Sequence, residues 1–245
     1  MSFLSAAFTG QPRSLRSCQT RCSFSPAVKM WSSPGAFRLA LQILTSGPAY
    51  DLVLIAGDLT THGTPDEAAR AIDGFRVVAP HLLAVAGNMD TGEIDAGFLR
   101  AGISIHGRGV CVDGVGIFGV SGGPISPLLT PYELPEEEIL RHAERGLQQV
   151  AGAATTVFVP HAPPYGTQLD VIRNGQHVGS TAVRAFIEKH QPDVTVCGHI
   201  HEAAGLDAIG KTKIINCGPA HRGSYGLISL GGRIEVQRLR FMPPG

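Results

Sequence analysis

The sequence predicts an α/β fold, with helices packed on a mixed sheet or on two packed sheets. Short apolar runs such as "DLVLIAG" and "HLLAVAG" end at glycine and are too short for ordinary helices, which is typical of buried strands. Helix-start signals alternate with these runs early in the chain, whereas the last strands follow one another directly. This change from alternation to consecutive strands favours α/β layers with a mixed sheet.

The elements of the first half follow from these signals. "PGAFRLALQIL", from Pro34, has apolar residues near helical spacing and a proline in the first turn, so it predicts a helix. In "TPDEAARAIDGF", Thr64 and Pro65 precede two acids, which predicts a second helix. "DLVLIAGD" and "HLLAVAGNMD" are predicted strands, and glycine turns separate three short ones, "ISIHG", "GVCVDG" and "GVGIFGVSGG".

The second half is predicted to contain two further helices and five strands. "LPEEEILRHAERGLQQVAG" has acids in its first helical turn, and "STAVRAFIEKH" is a helix capped by Ser180. "TTVFVPHAPP" and "PDVTVCGHIH" are strands followed by histidines. The chain finishes with the predicted strands "TKIINCGPA", "SYGLISL" and "RIEVQRLR".

Composition restricts the classes of partner. The 20 Lys and Arg residues balance 20 Asp and Glu residues, so nothing indicates binding to nucleic acid or to a membrane surface. No run of 18 apolar residues is present, so we expect no transmembrane helix. The oligomeric state leaves no mark in the sequence.

The five cysteines do not form the pattern of a disulfide framework. Cys111, Cys197 and Cys217 lie inside apolar runs, which is typical of buried thiols. Cys18 and Cys22 have no nearby partners that would complete a zinc site. We therefore expect a reducing, cytoplasmic setting.

An atypical segment over residues 1–33 precedes a single domain over residues 34–245. Residues 1–50 contain no Asp or Glu, and the chain up to about Ser33 is rich in Ser, Arg and Cys without clear periodicity. Three explanations stay open. The segment resembles a mitochondrial transit peptide in composition, a disordered tail explains it equally, and a shifted reading frame would also produce it.

Metal-capable side chains follow the predicted buried strands. These are Asp58, Asn88, His161, His199 and His201. Because sites form at the carboxyl ends of strands in α/β sheets, we expect these side chains to meet in one crevice. A mixed set of Asp, Asn and His suits divalent Mn, Fe, Zn or Ni, and the lack of thiolates in the set argues against a structural zinc finger.

The order of these motifs resembles the calcineurin-like metallophosphoesterase family. The matching motifs are "GD" at 57–58, "GNMD" at 87–90, "HAPP" at 161–164 and "GHIH" at 198–201. "HAPPYGT" and "NGQHVGS" further resemble a prokaryotic branch of small phosphoesterases. The resemblance implies two mixed β-sheets packed together and flanked by helices. It also implies a hydrolase that attacks a small phosphoester substrate with a metal-bound hydroxide.

The resemblance also implies roles for the predicted ligands. Asp58 would bridge two metal ions, Asn88, His161 and His199 would complete the second metal site, and His201 would bind the first metal. The Asn88 amide would in addition donate to a phosphate oxygen of the substrate.

The first departure from the family pattern is Met89, which stands where the family has a histidine that assists the leaving group. Methionine cannot transfer a proton. Relatives that lack this histidine are associated with phosphodiesters, so we expect a phosphodiesterase. Asp90 is the candidate catalytic residue that would partly substitute for the histidine.

The second departure is the absence of the family's first motif, a strand followed by Asp-x-His. The corresponding stretch, "SPAVKMWSSPGAF", contains neither residue type. The first metal would then keep only Asp58 and His201, so one metal ion in place of two is an open alternative. The sheet would also lose a central strand. The competing hypothesis is therefore a non-catalytic interaction module or an inactive copy on the same fold.

Three further residues are candidates for the rim of the crevice. "RNGQHVGS" places Arg173 and His177 as phosphate contacts, although a surface loop is an equally simple interpretation of this stretch. His221, which follows "INCGPA", is expected near the crevice.

Overall fold

The computed structural model describes residues 18–23, 50–60, 62–76, 81–231 and 233–241. The helix expected from Pro34 and most of the segment 1–33 lie outside these residues. Of the helices that are described, none is both long and apolar enough to span a membrane.

Two mixed β-sheets form the centre of the molecule. The first sheet has the strand order β13 (Arg233–Arg240), β12 (Ser224–Gly231), β1 (Cys18–Ser23), β2 (Leu52–Ala56) and β3 (His81–Val85). The second has the order β10 (Gly205–Ile209), β11 (Thr212–Asn216), β9 (Val194–Cys197), β8 (Thr155–Pro160), β5 (Val115–Val120) and β4 (Gly109–Val112). A two-stranded ribbon joins β6 (Gly123–Pro124) to β7 (Glu133–Leu134).

Helices cover the outer faces of both sheets. The described helices are α1 (Pro65–Arg76), α2 (Gly92–Arg100), α3 (Glu136–Gln149) and α4 (Thr181–His190), with short 3-10 turns at His201–Ala203 and Ala220–Arg222. The Ser180 hydroxyl accepts from the Val183 N–H and so caps α4, as the sequence predicts.

Alternation along the buried strands produces three hydrophobic layers. In β2, Leu52 and Leu54 face the core between the two sheets, whereas Val53 and Ile55 face the core under α1 and α2. A third core, with Phe158 and Phe186, lies under α3 and α4. Strands buried on both faces explain the continuous apolar runs in the sequence. The predicted architecture of two packed mixed sheets flanked by helices is confirmed.

The expectation that the first sheet lacks its central strand is wrong. The Cys18–Ser23 backbone runs parallel to β2 and antiparallel to β12, and so lies between them. The segment 1–33 therefore contributes a strand to the sheet, although its sequence, "CQTRCS", has no apolar pattern.

Two smaller expectations also differ from the structure. "ISIHG" is not a strand, because Ser104 and His106 form only single-residue bridges, to Ala84 and Gly119. Helix α2 is absent from the sequence-based expectations. It begins at the Thr91 cap, whose side chain accepts from the Ile94 N–H.

Candidate metal centre

Four strands of the two sheets end at the same place and deliver the candidate ligands. β2 and β3 are parallel neighbours in the first sheet, and Asp58 and Asn88 follow them. β8 and β9 are parallel neighbours in the second sheet, and His161 and His199 follow those. The packing of one sheet on the other therefore brings the four side chains together, as expected for carboxyl ends of strands.

The Asn88 side-chain oxygen lies at the centre of the cluster. Its Oδ1 is 3.0 Å from His161 Nε2 and 2.8 Å from His199 Nδ1. His161 Nε2 is also 3.5 Å from Asp58 Oδ1. Neighbouring ligands of a six-coordinate metal with bonds of about 2.1 Å are about 3 Å apart, so these separations fit a shared cation.

The hydrogen bond of His161 and the lowered pKa of His199 are both compatible with a shared cation. His161 Nδ1 lies 2.8 Å from the Ala56 carbonyl oxygen and donates to it, which leaves Nε2 as the lone-pair nitrogen. In the tautomer protonated only at Nδ1, the Nε2 lone pair faces the oxygens of Asn88 and Asp58, and a cation between these atoms would be bound by all three. Burial, with neighbouring His161 and His201, lowers the pKa of His199 to about 3, so its ring is neutral and able to bind metal.

Asn88 is the member on which the cluster depends. Within the described ranges, no three His, Cys, Asp or Glu side chains form a metal-holding group by themselves. The amide oxygen links the two imidazoles, and together with the Asp58 carboxylate this set suits the borderline to hard divalent ions expected from the sequence.

Glycines allow the strand ends to approach this closely. A Cβ atom on Gly87 would lie 2.0 Å from Asp58 Oδ1, and a Cβ on Gly57 would lie 2.2 Å from His161 Nδ1. Any larger residue would therefore displace a ligand. The "Gly then donor" pattern in the sequence has this steric cause.

Two of the candidate ligands have a strained backbone. Asp58 has φ of 51° and His199 has φ of 67°, a left-handed conformation that non-glycine residues rarely adopt. Such residues cost about 1–3 kcal/mol each and concentrate at functional sites. The Met89 N–H donates to Asp58 Oδ1 at 2.9 Å, which helps to fix the carboxylate in place.

His201 and His221 lie on the two 3-10 turns beside this cluster. Burial lowers the pKa of His201, and the charge of Asp58 partly opposes this effect, so His201 lies within electrostatic range of the cluster. His221 is a further neighbour of His201, and its buried Nδ1 has no hydrogen-bond partner among the described residues. Burial and Arg222 lower the pKa of His221 as well.

A cavity of about 830 Å³ opens over the ligands. Asp58, Asn88, His199 and His201 line it, and Met89 lies beside them. The residue that replaces the family's histidine is therefore an apolar neighbour of the ligands. Glu133, Glu136 and Tyr165 also line the cavity.

The structure gives Asp90 a different place from the catalytic one expected. Asp90 is fully buried, and its carboxylate accepts from the N–H groups of Leu59, Thr60 and Gly87 and from the Thr60 hydroxyl. Burial and the nearby Asp58 raise the pKa of Asp90 to about 6. Three of these four bonds join the loop after β2 to the loop after β3, and Asp90 is not among the described residues that line the cavity, so the structure supports a positioning role for Asp90.

The structure places the two rim candidates of "RNGQHVGS", His177 and Arg173, differently relative to the cavity. His177 lines the cavity, and its Nδ1 lies 2.7 Å from Asp170 Oδ1, which fixes the ring and leaves Nε2 as the nitrogen that can meet a ligand. Arg173 is exposed on the neighbouring turn and is not among the lining residues, so the structure does not bring it to the site.

Glu133 is a site residue that the sequence analysis missed. Its carboxylate accepts from the N–H and hydroxyl of Ser126 and from those of Thr130. Burial raises the pKa of Glu133, but these hydrogen bonds outweigh that effect and lower it to about 2. The spacing Thr130-x-x-Glu133 is the one signal that could have indicated this bracing.

Comparison with known proteins gives a family match and a related sequence. A family model described as calcineurin-like phosphoesterase matches residues 32–203. An uncharacterized protein of Methanocaldococcus jannaschii is 30% identical over 175 residues, which cover 69% of this chain and 78% of that protein.

Solved structures show a shared fold. A crystal structure from Thermus thermophilus has a TM-score of 0.68 at 16% identity and covers 92% of this chain and 100% of its own. A Danio rerio protein described as a dimetal phosphatase has a TM-score of 0.54 at 12% identity, over 91% of this chain and 99% of its own.

Proposed function

Because this chain belongs to the calcineurin-like phosphoesterase family and is thus a metal-dependent phosphoester hydrolase, we propose that its cavity hydrolyses small phosphodiesters. The single observation that carries the proposal is the convergence of His161 Nε2 and His199 Nδ1 on Asn88 Oδ1, at 3.0 and 2.8 Å. Two imidazole nitrogens and a carboxylate grouped around one amide oxygen offer a set of donors that suits a divalent cation.

Asp58, Asn88, His161 and His199 would hold one divalent ion, and His201 would contribute to a second. A bound divalent ion supplies Lewis acidity to the phosphoryl group and lowers the pKa of a water molecule. Manganese, iron, zinc and nickel all suit the donor set. The Met89 N–H and the Ala56 carbonyl orient Asp58 and His161 for this role.

The residues around the ligands favour a diester over a monoester. In hydrolysis the water oxygen bonds to phosphorus, one P–O ester bond breaks, and the departing alcohol takes a proton from the water. Met89 offers no proton to that alcohol. A phosphodiester carries one negative charge, which suits a cavity that contains Glu133 and Glu136 and, among its described lining residues, no Lys or Arg.

His177 would contact the substrate at the edge of the cavity. Asp170 accepts from its Nδ1 and is itself held by the N–H groups of Gly166, Thr167 and Gly179. The ring therefore presents Nε2 from a fixed position, which is suited to a phosphate or ester oxygen.

The direct test compares bis-p-nitrophenyl phosphate with p-nitrophenyl phosphate after loading with each of the four metals. We expect kcat/KM for the diester to exceed that for the monoester by at least about tenfold, a difference of about 1.4 kcal/mol. Asp58→Asn should abolish the activity, and Asp73→Asn, on the exposed face of α1, should leave it unchanged. A preference for the monoester would contradict the proposal.

The competing hypothesis of a non-catalytic interaction module expects an apolar patch in place of an open crevice. The candidate ligands line an open cavity. The exposed apolar side chains line the same cavity and leave the candidate ligands accessible. We therefore favour catalysis.

We place the protein in a reducing compartment, the cytoplasm. Cys111, Cys197 and Cys217 are all free thiols, and two of them are buried. Unpaired cysteines are usual where thiols are kept reduced.

A further inference from the structure

One cavity contains both the metal-ligand cluster and a group of apolar side chains, here called the apolar wall. The apolar wall consists of Pro124, Ile125, Pro127, Leu128, Ile172 and Val178. Ile125 is 66% exposed and Leu128 is 81% exposed, so neither contributes much to the hydrophobic core. A contiguous exposed apolar surface of this kind marks a binding site.

The loop that carries most of the apolar wall is braced. The Glu133 carboxylate ties the loop together through Ser126 and Thr130, at 2.7–3.1 Å. The Tyr132 N–H donates to the Asn88 carbonyl oxygen, and the Gly123 N–H donates to the Tyr132 carbonyl oxygen. The loop is thus anchored to a ligand residue, and its leucine and isoleucine are held at a fixed place relative to the ligand cluster.

The size and charge of the cavity restrict what can lie against the wall. A volume of about 830 Å³ is large for a phosphate group alone and is within the ordinary range of organic ligand sites. The described lining contains the Glu133 and Glu136 carboxylates and no Lys or Arg. A second or third phosphate group would find no cationic partner among these residues and would be repelled by the carboxylates.

We propose that the apolar wall binds an apolar alkyl or aryl ester group of a substrate that carries a single phosphate. This inference rests on the proposed function, because phosphorus at the ligand cluster places the ester group in the rest of the same cavity. Met89 continues the apolar surface up to the ligands. Nucleoside di- and triphosphates are excluded by the same argument.

The test uses methyl, butyl and octyl p-nitrophenyl phosphate, which share one leaving group and differ in apolar length. Burial of about two or three of the seven additional methylenes against the apolar wall would raise kcat/KM from methyl to octyl on the order of 10- to 100-fold, which is the increase we expect. Leu128→Ser should remove about tenfold of the octyl advantage and leave the methyl ester nearly unchanged. Equal kcat/KM for the three esters would overturn the inference.

The matched control is Leu129→Ser. Leu129 is 83% exposed and adjacent to Leu128 in the same loop, but it does not line the cavity. We expect it to preserve the dependence on chain length. An equal loss in both variants would also overturn the inference, because it would show a general effect of the loop and not a contact with the substrate.

A binding measurement separates this inference from the proposed function. Titration calorimetry of manganese-loaded protein with methylphosphonate and octylphosphonate reports on the wall without turnover. Tighter binding of octylphosphonate that is lost in Leu128→Ser supports the apolar wall, even if no ester is hydrolysed and the proposed function fails. Equal affinity for the two phosphonates overturns the apolar wall, even if the diester is hydrolysed.

Discussion

The two halves of the candidate metal centre differ in how they are held. The inner half, Asp58, Asn88, His161 and His199, is connected by contacts of 2.8–3.5 Å between side chains. The outer half, His201 and His221, lies on 3-10 turns and is half-buried.

The inner half is rigid because each of its members follows a strand of the sheet core. Glycines let the strands approach, and Asp90 joins the loops behind them. The outer half lies on 3-10 turns, and the family motif that would complete it, Asp-x-His, is missing from the sequence. The difference teaches that the geometry of the candidate metal centre depends first on the packing of strand ends, which this chain retains.

Removal of His161 should produce the largest effect. His161→Ala deletes a ligand nitrogen and also the bond to Ala56 that ties the two sheets together. We expect hydrolysis of bis-p-nitrophenyl phosphate to fall by at least about 100-fold. His81→Ala, at an exposed position in β3, is the control and should retain activity. Equal activities of the two variants would break the comparison between the halves.

The close packing of the strand ends around the inner half can be tested by substituting a glycine. Gly87→Ala places a Cβ 2.0 Å from Asp58 Oδ1, so we expect a loss of about 1–3 kcal/mol of stability and a marked loss of activity. Gly92→Ala, in α2, has no atom within 4 Å of its new Cβ and should be neutral or slightly stabilising. Thermal unfolding and turnover should be measured on both. Comparable unfolding temperatures would show that the strand ends can move apart.

Removal of His201 should have a smaller effect than removal of His161. His201→Ala leaves the inner half intact, so we expect about a tenfold loss of turnover and a lower metal content. The control is again His81→Ala. A loss as large as that of His161→Ala would mean that the outer half is equally important, and no loss would mean that His201 is not a ligand.

Acidification should destabilise the hydrogen bonds of His106 and Ser121 behind the inner half. We expect this effect to be the smallest of those predicted here. His106 Nδ1 accepts from the Ser121 N–H, and the Ser121 hydroxyl accepts from the Ala86 N–H, two residues before Asn88. Burial, and then Arg145, lower the pKa of His106 to about 4 from the 6.5 of an unfolded chain. The unfolded state therefore binds more protons below pH 6.5, and stability falls as the pH drops from 6.5 to 4.

The variant His106→Asn isolates this contribution. An asparagine oxygen can accept from the Ser121 N–H and does not titrate. We expect wild-type protein to lose about 2 kcal/mol more stability than His106→Asn between pH 7 and pH 4. Urea unfolding at several pH values measures the difference. Parallel pH profiles for the two proteins would exclude His106 as the titrating group.

The sequence was sufficient to predict that the candidate ligands at the strand ends lie close together. Asp58, Asn88, His161 and His199 follow apolar runs, and their meeting follows from the general position of sites in α/β sheets. The hydrogen bonds of Asp90 to Leu59 and Thr60 could not be predicted from the sequence, because these residues lie in a loop about thirty residues away in the chain. No local pattern reveals a contact of this kind.

Strand β1 and helix α2 were not predicted from the sequence, for other physical reasons. β1 has a polar sequence and acquires its place through backbone pairing with β2 and β12, which is a tertiary property. Helix α2 contains Gly92 and Gly97, and glycine weakens a helix signal. Its packing on the first sheet, through Ile94 and Phe98, offsets that cost.

The most direct test of the account is the metal content of manganese-loaded protein, measured by elemental mass spectrometry after gel filtration, for wild type, His161→Ala and His81→Ala. The account predicts at least one metal ion per chain in wild type and in His81→Ala, and almost none in His161→Ala. No metal in wild type, or equal metal in all three proteins, would contradict the claim that the inner half is a metal centre.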